Sequence, residues 1–197
     1  MNLREEFPRT ECGCARCCVG CRTMPGTLAP GDVERIARSQ GMGVEELADS
    51  GRLLASEGAR YLRINHRTGA VQTMQHQSIV PAQDETGACV FLGDDGECTI
   101  HAVSPFGCAG FDSHHSHAES ESRAHALIGA IEQAHKGGLG LAGAIYRTVC
   151  RKLVDAGRQA APLKDRRGAY NRAELKIIQG ESNDGSPGTM PALQLPA

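Results

Sequence analysis

Eight of the nine cysteines in this chain fall into two groups, and their thiols are the side chains best suited to chemistry. The first group comprises Cys12, Cys14, Cys17, Cys18 and Cys21, and the second comprises Cys89, Cys98 and Cys108. Thiolates are preferred ligands of soft or borderline metals such as zinc, cuprous copper and the iron of iron–sulfur clusters. The two groups therefore predict one composite metal site to which all eight cysteines contribute.

The spacing within the first group bears on the kind of metal site. Cys14 and Cys17 have the C-x₂-C spacing that commonly supplies two zinc ligands, and Cys18 and Cys21 repeat it. The adjacent pair Cys17-Cys18 is less usual, because neighbouring side chains diverge and seldom bind the same ion. An iron–sulfur cluster, which contains several metal atoms, accommodates such a pair more easily. Two zinc ions, or one ion with a spare thiol, remain the alternatives.

A disulfide framework is the alternative to metal binding. It requires an oxidising compartment, and an odd count of nine cysteines does not suit it. Residues 1–10 lack the apolar stretch of a secretory signal. We therefore expect reduced, metal-binding cysteines in a cytoplasmic protein.

The second cysteine group is expected on a β-hairpin. Residues 93–96, Gly-Asp-Asp-Gly, form a strong turn signal between two short apolar runs. A four-residue loop there places Phe91 opposite Cys98, and Cys89 then shares a face with Cys98 because side chains alternate along a strand. Cys108 joins them from the following segment, so three thiols converge without a helix.

Further motifs accompany the cysteines. They are Cys14-x-x-Cys17-Cys18, Leu28–Ala37, Cys89-x-Phe91-Leu92, Cys98–His101 and Pro105-x-x-Cys108. Together, over about residues 11–112, they resemble the CxxCxxCC cysteine-cluster family, the YkgJ-type proteins proposed to chelate zinc or iron. The resemblance implies metal chelation without fixing the metal. A related cysteine cluster occurs in flagellin lysine methylases, so the resemblance also leaves an enzymatic role open.

Histidines offer additional nitrogen ligands. Three of them, His114, His115 and His117, form a tract soon after Cys108, and such tracts bind metals. They are also common in exposed loops, so both interpretations stay open. His101 has a zinc-like spacing from Cys98, but in the predicted hairpin its side chain points away from the thiols. We predict the eight clustered cysteines as the ligand set and keep the histidines as alternatives.

Hydrophobic periodicity predicts an α+β fold around these residues. We expect a small, irregular, cysteine-rich metal-binding core with short β-hairpins and flanking helices, plus a C-terminal helical region. The first cysteine group is placed in a glycine-containing loop, and Cys150 is placed on a buried helix face. The predicted helices are 27–40, 44–48, a weaker stretch at 53–57, 123–135, 141–156 and 170–179; the predicted hairpin pairs 61–66 with 71–75; residues 77–88 are predicted as a loop.

Changes in composition divide the chain into four predicted segments. Residues 1–10 are expected to be a flexible N-terminal arm, and residues 11–117 the cysteine-cluster metal-binding domain. Residues 118–180 form the helical C-terminal region. Residues 181–197 are expected to be a disordered tail, because they are rich in glycine, serine and proline and show little apolar periodicity.

The charge distribution limits the classes of partner. The net charge of −2 argues against broad electrostatic binding to nucleic acid. Residues 147–176 nevertheless contain nine Lys or Arg and three acidic residues, which fits either a solvated helix face or docking to an acidic protein. No apolar run approaches the ~20 residues of a membrane helix, so we expect no membrane insertion.

Sequence motifs of common enzymes are absent. The sequence has no P-loop, dinucleotide-binding glycine fingerprint, nucleophile elbow or HExxH, and it assigns no catalytic residue. The leading hypothesis is a metal-binding accessory, electron-transfer or metal-handling protein that chelates iron, as an iron–sulfur cluster, or zinc. The alternatives are a structural-zinc interaction module and an iron-dependent or methyltransferase-like modifying enzyme.

Overall fold

The computed structural model describes residues 3–10, 12, 14–65 and 67–178. These residues form α-helices, short antiparallel strands and one 3₁₀ turn, and this content confirms the predicted α+β fold. In chain order the elements are α1 (Leu3–Glu6), α2 (Ala15–Thr23), α3 (Asp32–Ser39), α4 (Val44–Asp49), β1 (Leu53–Ser56), β2 (Arg60–Ile64), β3 (Val71–Gln75), β4 (Ser78–Pro81), the 3₁₀ turn (His101–Val103), α5 (Phe106–Ala109), α6 (His117–His135), α7 (Gly140–Asp155) and α8 (Leu163–Ile178). In this part of the chain no helix combines the length and the apolarity needed to cross a bilayer.

The four strands form two nested antiparallel pairs. The predicted hairpin is confirmed as β2 and β3, with Arg60 opposite Gln75. Strands β1 and β4 pair outside it, with Leu53 opposite Pro81. The prediction of a helical stretch at 53–57 was therefore wrong, and so was the prediction that 77–88 is all loop. Strands β1 and β4 are each only four residues long, and each pairs with a partner distant in sequence.

Helix α3 buries the apolar stripe that the sequence predicts. Val33, Ile36 and Ala37 all lie in the core. The helix begins at Asp32 rather than near residue 27, because Gly31 takes a left-handed conformation with φ of 95° and the preceding residues are extended. The Leu28 N–H group there donates to the Ile79 carbonyl at 2.8 Å, so this segment continues alongside β4.

The predicted helical hairpin is confirmed as α6 and α7, and it packs onto the strands. Tyr146 of α7 is fully buried, and its hydroxyl donates to the Leu28 carbonyl at 3.1 Å and accepts from the Ile79 N–H group at 3.2 Å. Cys150, on the same helix, is 1% exposed, which confirms its predicted burial. The core is one cluster with residues on both sides of the boundary predicted at residue 117, and that boundary stays a prediction.

Asp32 joins three segments of the chain at the edge of this core. Its carboxylate is 2% exposed and accepts from the Ala29 N–H group at 2.9 Å and from the Phe106 N–H group at 2.6 Å. It also pairs with Arg35 and, at 3.5 Å, with Arg4 of α1. The carboxylate therefore fixes the start of α3 and the start of α5, which carries Cys108.

The N-terminal segment is packed rather than loose over its described residues. Leu3 is 7% exposed and belongs to the core, and the Thr10 N–H group donates to the Ala109 carbonyl at 2.7 Å. The buried leucine and the Arg4–Asp32 ion pair thus attach residues 3–10 to the core, and the flexibility of this arm stays a prediction. The predicted tail, 181–197, lies outside the described residues.

Much of the basic region at 147–176 contacts the rest of the protein. Lys152 forms ion pairs with Glu45 at 2.9 Å and with Asp49 at 2.8 Å. Arg158 donates to the Ala48 carbonyl at 2.5 Å. These contacts attach α7 and the segment after it to α4. Docking of an acidic protein to this region stays a prediction.

Candidate metal centre

Three of the five cysteines in the first group lie on helix α2, so the prediction of a loop was wrong for Cys17, Cys18 and Cys21. Cys14 is the N-cap residue, and Cys17, Cys18 and Cys21 project from the helix. The sequence carries no strong helix signal here, since Gly20 lies in the helix interior and no side chain bonds at the cap. Tertiary packing supplies the missing stability: Val19 is fully buried, and α2 packs against α8.

Four side chains converge at the N-terminal end of α2 and form what we call the outer centre. They are Cys12, Cys14, Cys17 and His114. One ligand atom from each lies within 4.8 Å of all the others, which is close enough to bind one metal ion. The Cys14 Sγ atom is 3.5 Å from the Cys17 Sγ atom and 3.5 Å from His114 Nε2. Three thiolates and one imidazole are a donor set typical of tetrahedral zinc.

A short loop before α6 positions His114. Asp112 Oδ1 accepts from the N–H groups of His114, at 2.8 Å, and His115, at 3.1 Å. Asp112 Oδ2 accepts from the Thr10 hydroxyl, which ties the loop to the N-terminal segment. Ser113 contacts the centre directly, with its N–H group 3.4 Å from Cys17 Sγ. These bonds fix the loop so that the imidazole reaches Cys14.

The two helical thiols of the outer centre differ in acidity. Burial tends to raise the pKa of the Cys14 thiol, but the approach of the Cys17 backbone N–H group and of the His114, Cys17 and Cys12 side chains outweighs it and lowers that pKa below its usual range. Burial raises the pKa of the Cys17 thiol. Cys14 is exposed, and as the N-cap residue it also faces the positive end of the helix dipole. Cys14 is therefore more readily available as a thiolate than Cys17.

The remaining clustered cysteines surround a cavity of about 110 Å³ that we call the inner chamber. They are Cys18, Cys21, Cys89, Cys98 and Cys108, and Cys12 and Cys17 of the outer centre line the same cavity. A backbone hydrogen bond of 2.7 Å from the Cys89 N–H group to the Cys21 carbonyl joins the two sequence groups. Cysteines of both groups thus line one cavity, but a single site with all eight as ligands stays a prediction, because only the outer centre gathers three or more metal-ligand atoms to within 4.8 Å among the described residues.

Burial dominates the chemistry of the inner chamber. It raises the pKa of the Cys21 thiol to about 11, with further repulsion from Cys98 and Cys18. It raises the pKa of the Cys89 thiol to about 12, and it raises that of Cys108 well above the usual value. These thiols are protonated at neutral pH unless a bound cation stabilises the thiolates.

The predicted hairpin register in the second cysteine group was wrong by one residue. Leu92, not Phe91, is opposite Cys98, and the Gly93 N–H group donates to the Glu97 carbonyl at 2.8 Å. The loop is shorter by one residue because Asp95 Oδ1 accepts from the Glu97 N–H group. Cys108 lies on the short helix α5, so the expectation that no helix takes part was also wrong.

The structure divides the eight predicted ligands. Cys12, Cys14 and Cys17 join the outer centre, and for the other five cysteines ligation stays a prediction. Of the adjacent pair, only Cys17 belongs to the outer centre, although both cysteines line the inner chamber. His114 was missing from the predicted set, although its position in a histidine tract after Cys108 was a signal. Among the remaining histidines, His115 lies 3.8 Å from Asp112 instead of in the centre.

The position of Cys108 depends on a close backbone approach between Gly26 and Gly107. The Gly26 N–H group donates to Cys108 Sγ at 3.2 Å. A Cβ atom at Gly26 would lie 2.1 Å from the Gly107 carbonyl carbon, so the backbones would have to separate. We expect Gly26→Ala to lower the free energy of unfolding by about 1–3 kcal/mol, as overpacking typically does. Urea denaturation measures this effect.

Gly20 provides the matched control for that substitution. It lies inside α2, and a Cβ atom there would meet nothing within 4 Å. Gly20→Ala should therefore raise the free energy of unfolding by about 0.5–1 kcal/mol through helix propensity. Equal effects of the two substitutions would contradict the close approach.

Comparison with known proteins does not assign the chain to a family. No family model, curated protein or solved structure matches it. Membership of the CxxCxxCC cysteine-cluster family therefore remains a prediction that rests on the motifs.

Proposed function

We propose that the chain is a metal-handling protein. Its outer centre takes up and releases a single ion, iron(II) or zinc, and its inner chamber holds iron as an iron–sulfur cluster. The observation that carries the proposal is the convergence of Cys12, Cys14, Cys17 and His114 within 4.8 Å. Such a set of nitrogen and sulfur donors suits a borderline divalent metal.

The exposure of the outer centre supports exchange of its metal with a partner. Cys14 and His114 are both exposed, while Cys12 and Cys17 are half-buried. An incoming ligand can therefore reach the ion and replace one donor at a time. A closed site with four buried ligands would serve a structural role better than a handling role.

The arrangement of the inner chamber supports a cluster. The ligands of one cluster bind different iron atoms, so they stand farther apart than the ligands of one ion. The five inner thiols line a common cavity without meeting at one point. Its volume of about 110 Å³ is several times the ~30 Å³ that one water occupies in the liquid.

Competition with a chromophoric chelator tests the handling role. The full chain, purified anaerobically, is mixed with excess 4-(2-pyridylazo)resorcinol, and released metal is followed by absorbance. We expect one ion to leave within minutes while sulfide-associated iron stays bound. His114→Ala should accelerate the first release by about ten-fold, as loss of a stabilising ligand does, and Cys98→Ser should leave that rate unchanged. Retention of the first ion for many hours would contradict a handling role.

A structural-zinc module is the second candidate, and the donor set of the outer centre favours it. Three cysteines and one histidine are typical of zinc sites whose removal unfolds the domain. Here, however, the hydrophobic core includes no residue of the outer centre. The two candidates therefore differ in what happens when the metal is removed.

Chelation is expected to leave the protein folded. The core does not need the outer centre, so the helical circular dichroism signal at 25 °C should stay within about 10% of its original value. Bound metal at 1,000 times its Kd adds about 4 kcal/mol. For a chain of this size its removal should therefore lower the Tm by about 8–16 °C. Loss of the helical signal at 25 °C would instead establish the structural module.

A further inference from the structure

A second cavity lies beside the metal ligands, between helices α2 and α8. Its volume is about 490 Å³, within the range of about 300–1,000 Å³ that is typical of small-molecule sites. Cys17, Cys21 and Cys108 form part of one wall, and Arg166, Arg167 and Tyr170 of α8 form part of the opposite wall. A molecule in this cleft would lie next to both thiol groups.

The charged residues of the cleft favour an anion. Arg16, Arg166 and Arg167 line it, and Asp112 is its one carboxylate among the described residues. Both oxygens of Asp112 accept protein hydrogen bonds, which partly satisfy its negative charge. Arg16 pairs with Glu174 at 3.2 Å, which leaves Arg166 and Arg167 as the available cations.

Arg166 is the buried cation of the cleft. It is 6% exposed, yet it forms no ion pair with any carboxylate of the described residues. Its Nε–H group donates to the Ala161 carbonyl at 3.0 Å, and its Nη2 group donates to the Ser56 hydroxyl at 2.6 Å. A buried guanidinium is costly without a negative partner at ion-pair distance, and burial lowers its pKa here, which the attraction of Glu57 offsets only in part. An anion in the cleft would supply that close partner.

A second, independent feature is the hydroxyl of Ser78. This side chain is 2% exposed and lines the cleft, and its Oγ atom has no hydrogen-bond partner among the described residues. Buried polar atoms are rarely left unpaired in folded proteins. A ligand oxygen within the cleft would satisfy it.

The cleft continues into an apolar cavity of about 150 Å³. The two cavities share Ser78, Phe111 and Leu127. The smaller one is also lined by Ile128 and Ile131 of α6 and by the polar side chains of Tyr61 and His76. A ligand that fills both would therefore have a charged head and a short apolar body. Inorganic anions would leave the apolar end unused.

We propose that this cleft binds a small organic oxyanion, a carboxylate or phosphate monoester with a short apolar body, directly beside the metal ligands. The head group lies between Arg166 and Arg167, and the apolar body extends past Ser78 towards Ile131. This binding activity goes beyond metal handling and does not depend on metal occupancy, because its recognition elements are protein side chains. A reaction at the metal would require such a cleft to hold its substrate.

Isothermal titration calorimetry with four probes of equal chain length tests the proposal. Hexanoate, hexyl phosphate, hexylammonium and 1-hexanol are titrated into the full chain, once metal-free and once loaded with zinc. We expect at least one of the two anions to bind about ten-fold or more tightly than hexanol, as a charge-assisted hydrogen bond allows. The better anion identifies the head group. Absence of anion binding, or equal binding of hexanol or hexylammonium, would overturn the proposal.

Variants separate recognition from folding. Arg166→Gln should weaken binding of the anion by about ten-fold, while Arg151→Gln, which changes an exposed arginine outside the cleft, should not. If Arg166→Gln fails to fold, the exposed residue Arg167 is substituted instead. Arg167→Gln should weaken binding of the anion by about three-fold or more. Unchanged anion binding in a folded Arg166→Gln variant would overturn the proposal, whatever the metal content.

Discussion

Replacement of Cys14 by serine is expected to weaken metal binding at the outer centre by about 100-fold or more. Loss of a residue that only hydrogen-bonds to a metal ligand typically lowers metal affinity about 10–100-fold, and Cys14 is placed as a ligand itself. Cys14 is the best choice for this test because its Sγ atom contacts both Cys17 and His114. It is also exposed and occupies the N-cap of α2, a position that favours serine, so the helix should be retained. Competition titration with a chromophoric chelator measures the affinity.

Two control variants make this result specific. Cys150→Ala removes a buried thiol that belongs to neither the outer centre nor the lining of the inner chamber, and it should leave metal affinity unchanged. Cys18→Ser removes the neighbour of Cys17 that faces the inner chamber, and it should leave the outer affinity within about three-fold. An affinity of Cys14→Ser within three-fold of the unmodified chain would mean that the outer centre is not the binding site.

The largest effect on stability is expected at Asp32. Asp32→Ala should lower the free energy of unfolding by about 3–5 kcal/mol, the usual cost of removing one partner from a buried ion pair. The substitution leaves the Ala29 and Phe106 N–H groups without an acceptor and removes the partner of Arg35. Urea denaturation followed by circular dichroism measures this loss.

An exposed carboxylate provides the matched control for Asp32. Asp49 pairs with Lys152 at 2.8 Å on the surface, so Asp49→Ala should cost no more than about 1 kcal/mol. The Phe106 N–H bond to Asp32 anchors α5, so a folded Asp32→Ala variant should also lose metal from the inner chamber before the outer centre. A loss of stability below about 1 kcal/mol would mean that Asp32 does not fix these segments.

The local signals in the sequence were sufficient for part of the fold. The apolar stripe of α3, the β2–β3 hairpin and the α6–α7 pair all follow from periodicity and turn residues within one short stretch. Strands β1 and β4 have no such signal, because their pairing joins residues about 25 positions apart. Helix α2 likewise depends on burial of Val19 and on packing against α8 rather than on its own propensity.

The residue types of the candidate site were predictable, but the assignment of each cysteine to the outer centre or the inner chamber was not. The clustered thiols indicated metal binding, yet nothing local assigns Cys17 to one group and Cys18 to another. That assignment follows from the helical periodicity of α2, which turns adjacent side chains in different directions. His114 reaches the outer centre only because Asp112 fixes the backbone of its loop, and no periodic pattern encodes this contact.

Metal and sulfide analysis of three anaerobically purified chains tests the central claim, that the thiols form two neighbouring metal centres. The chains are the unmodified protein, Cys14→Ser and Cys98→Ser, each analysed for iron, zinc and acid-labile sulfide. We expect the unmodified chain to contain iron with matching sulfide plus one further ion. Cys14→Ser should lose that ion and keep its sulfide, while Cys98→Ser should lose sulfide and keep the ion. A metal-free unmodified chain, or identical losses in both variants, would contradict two centres.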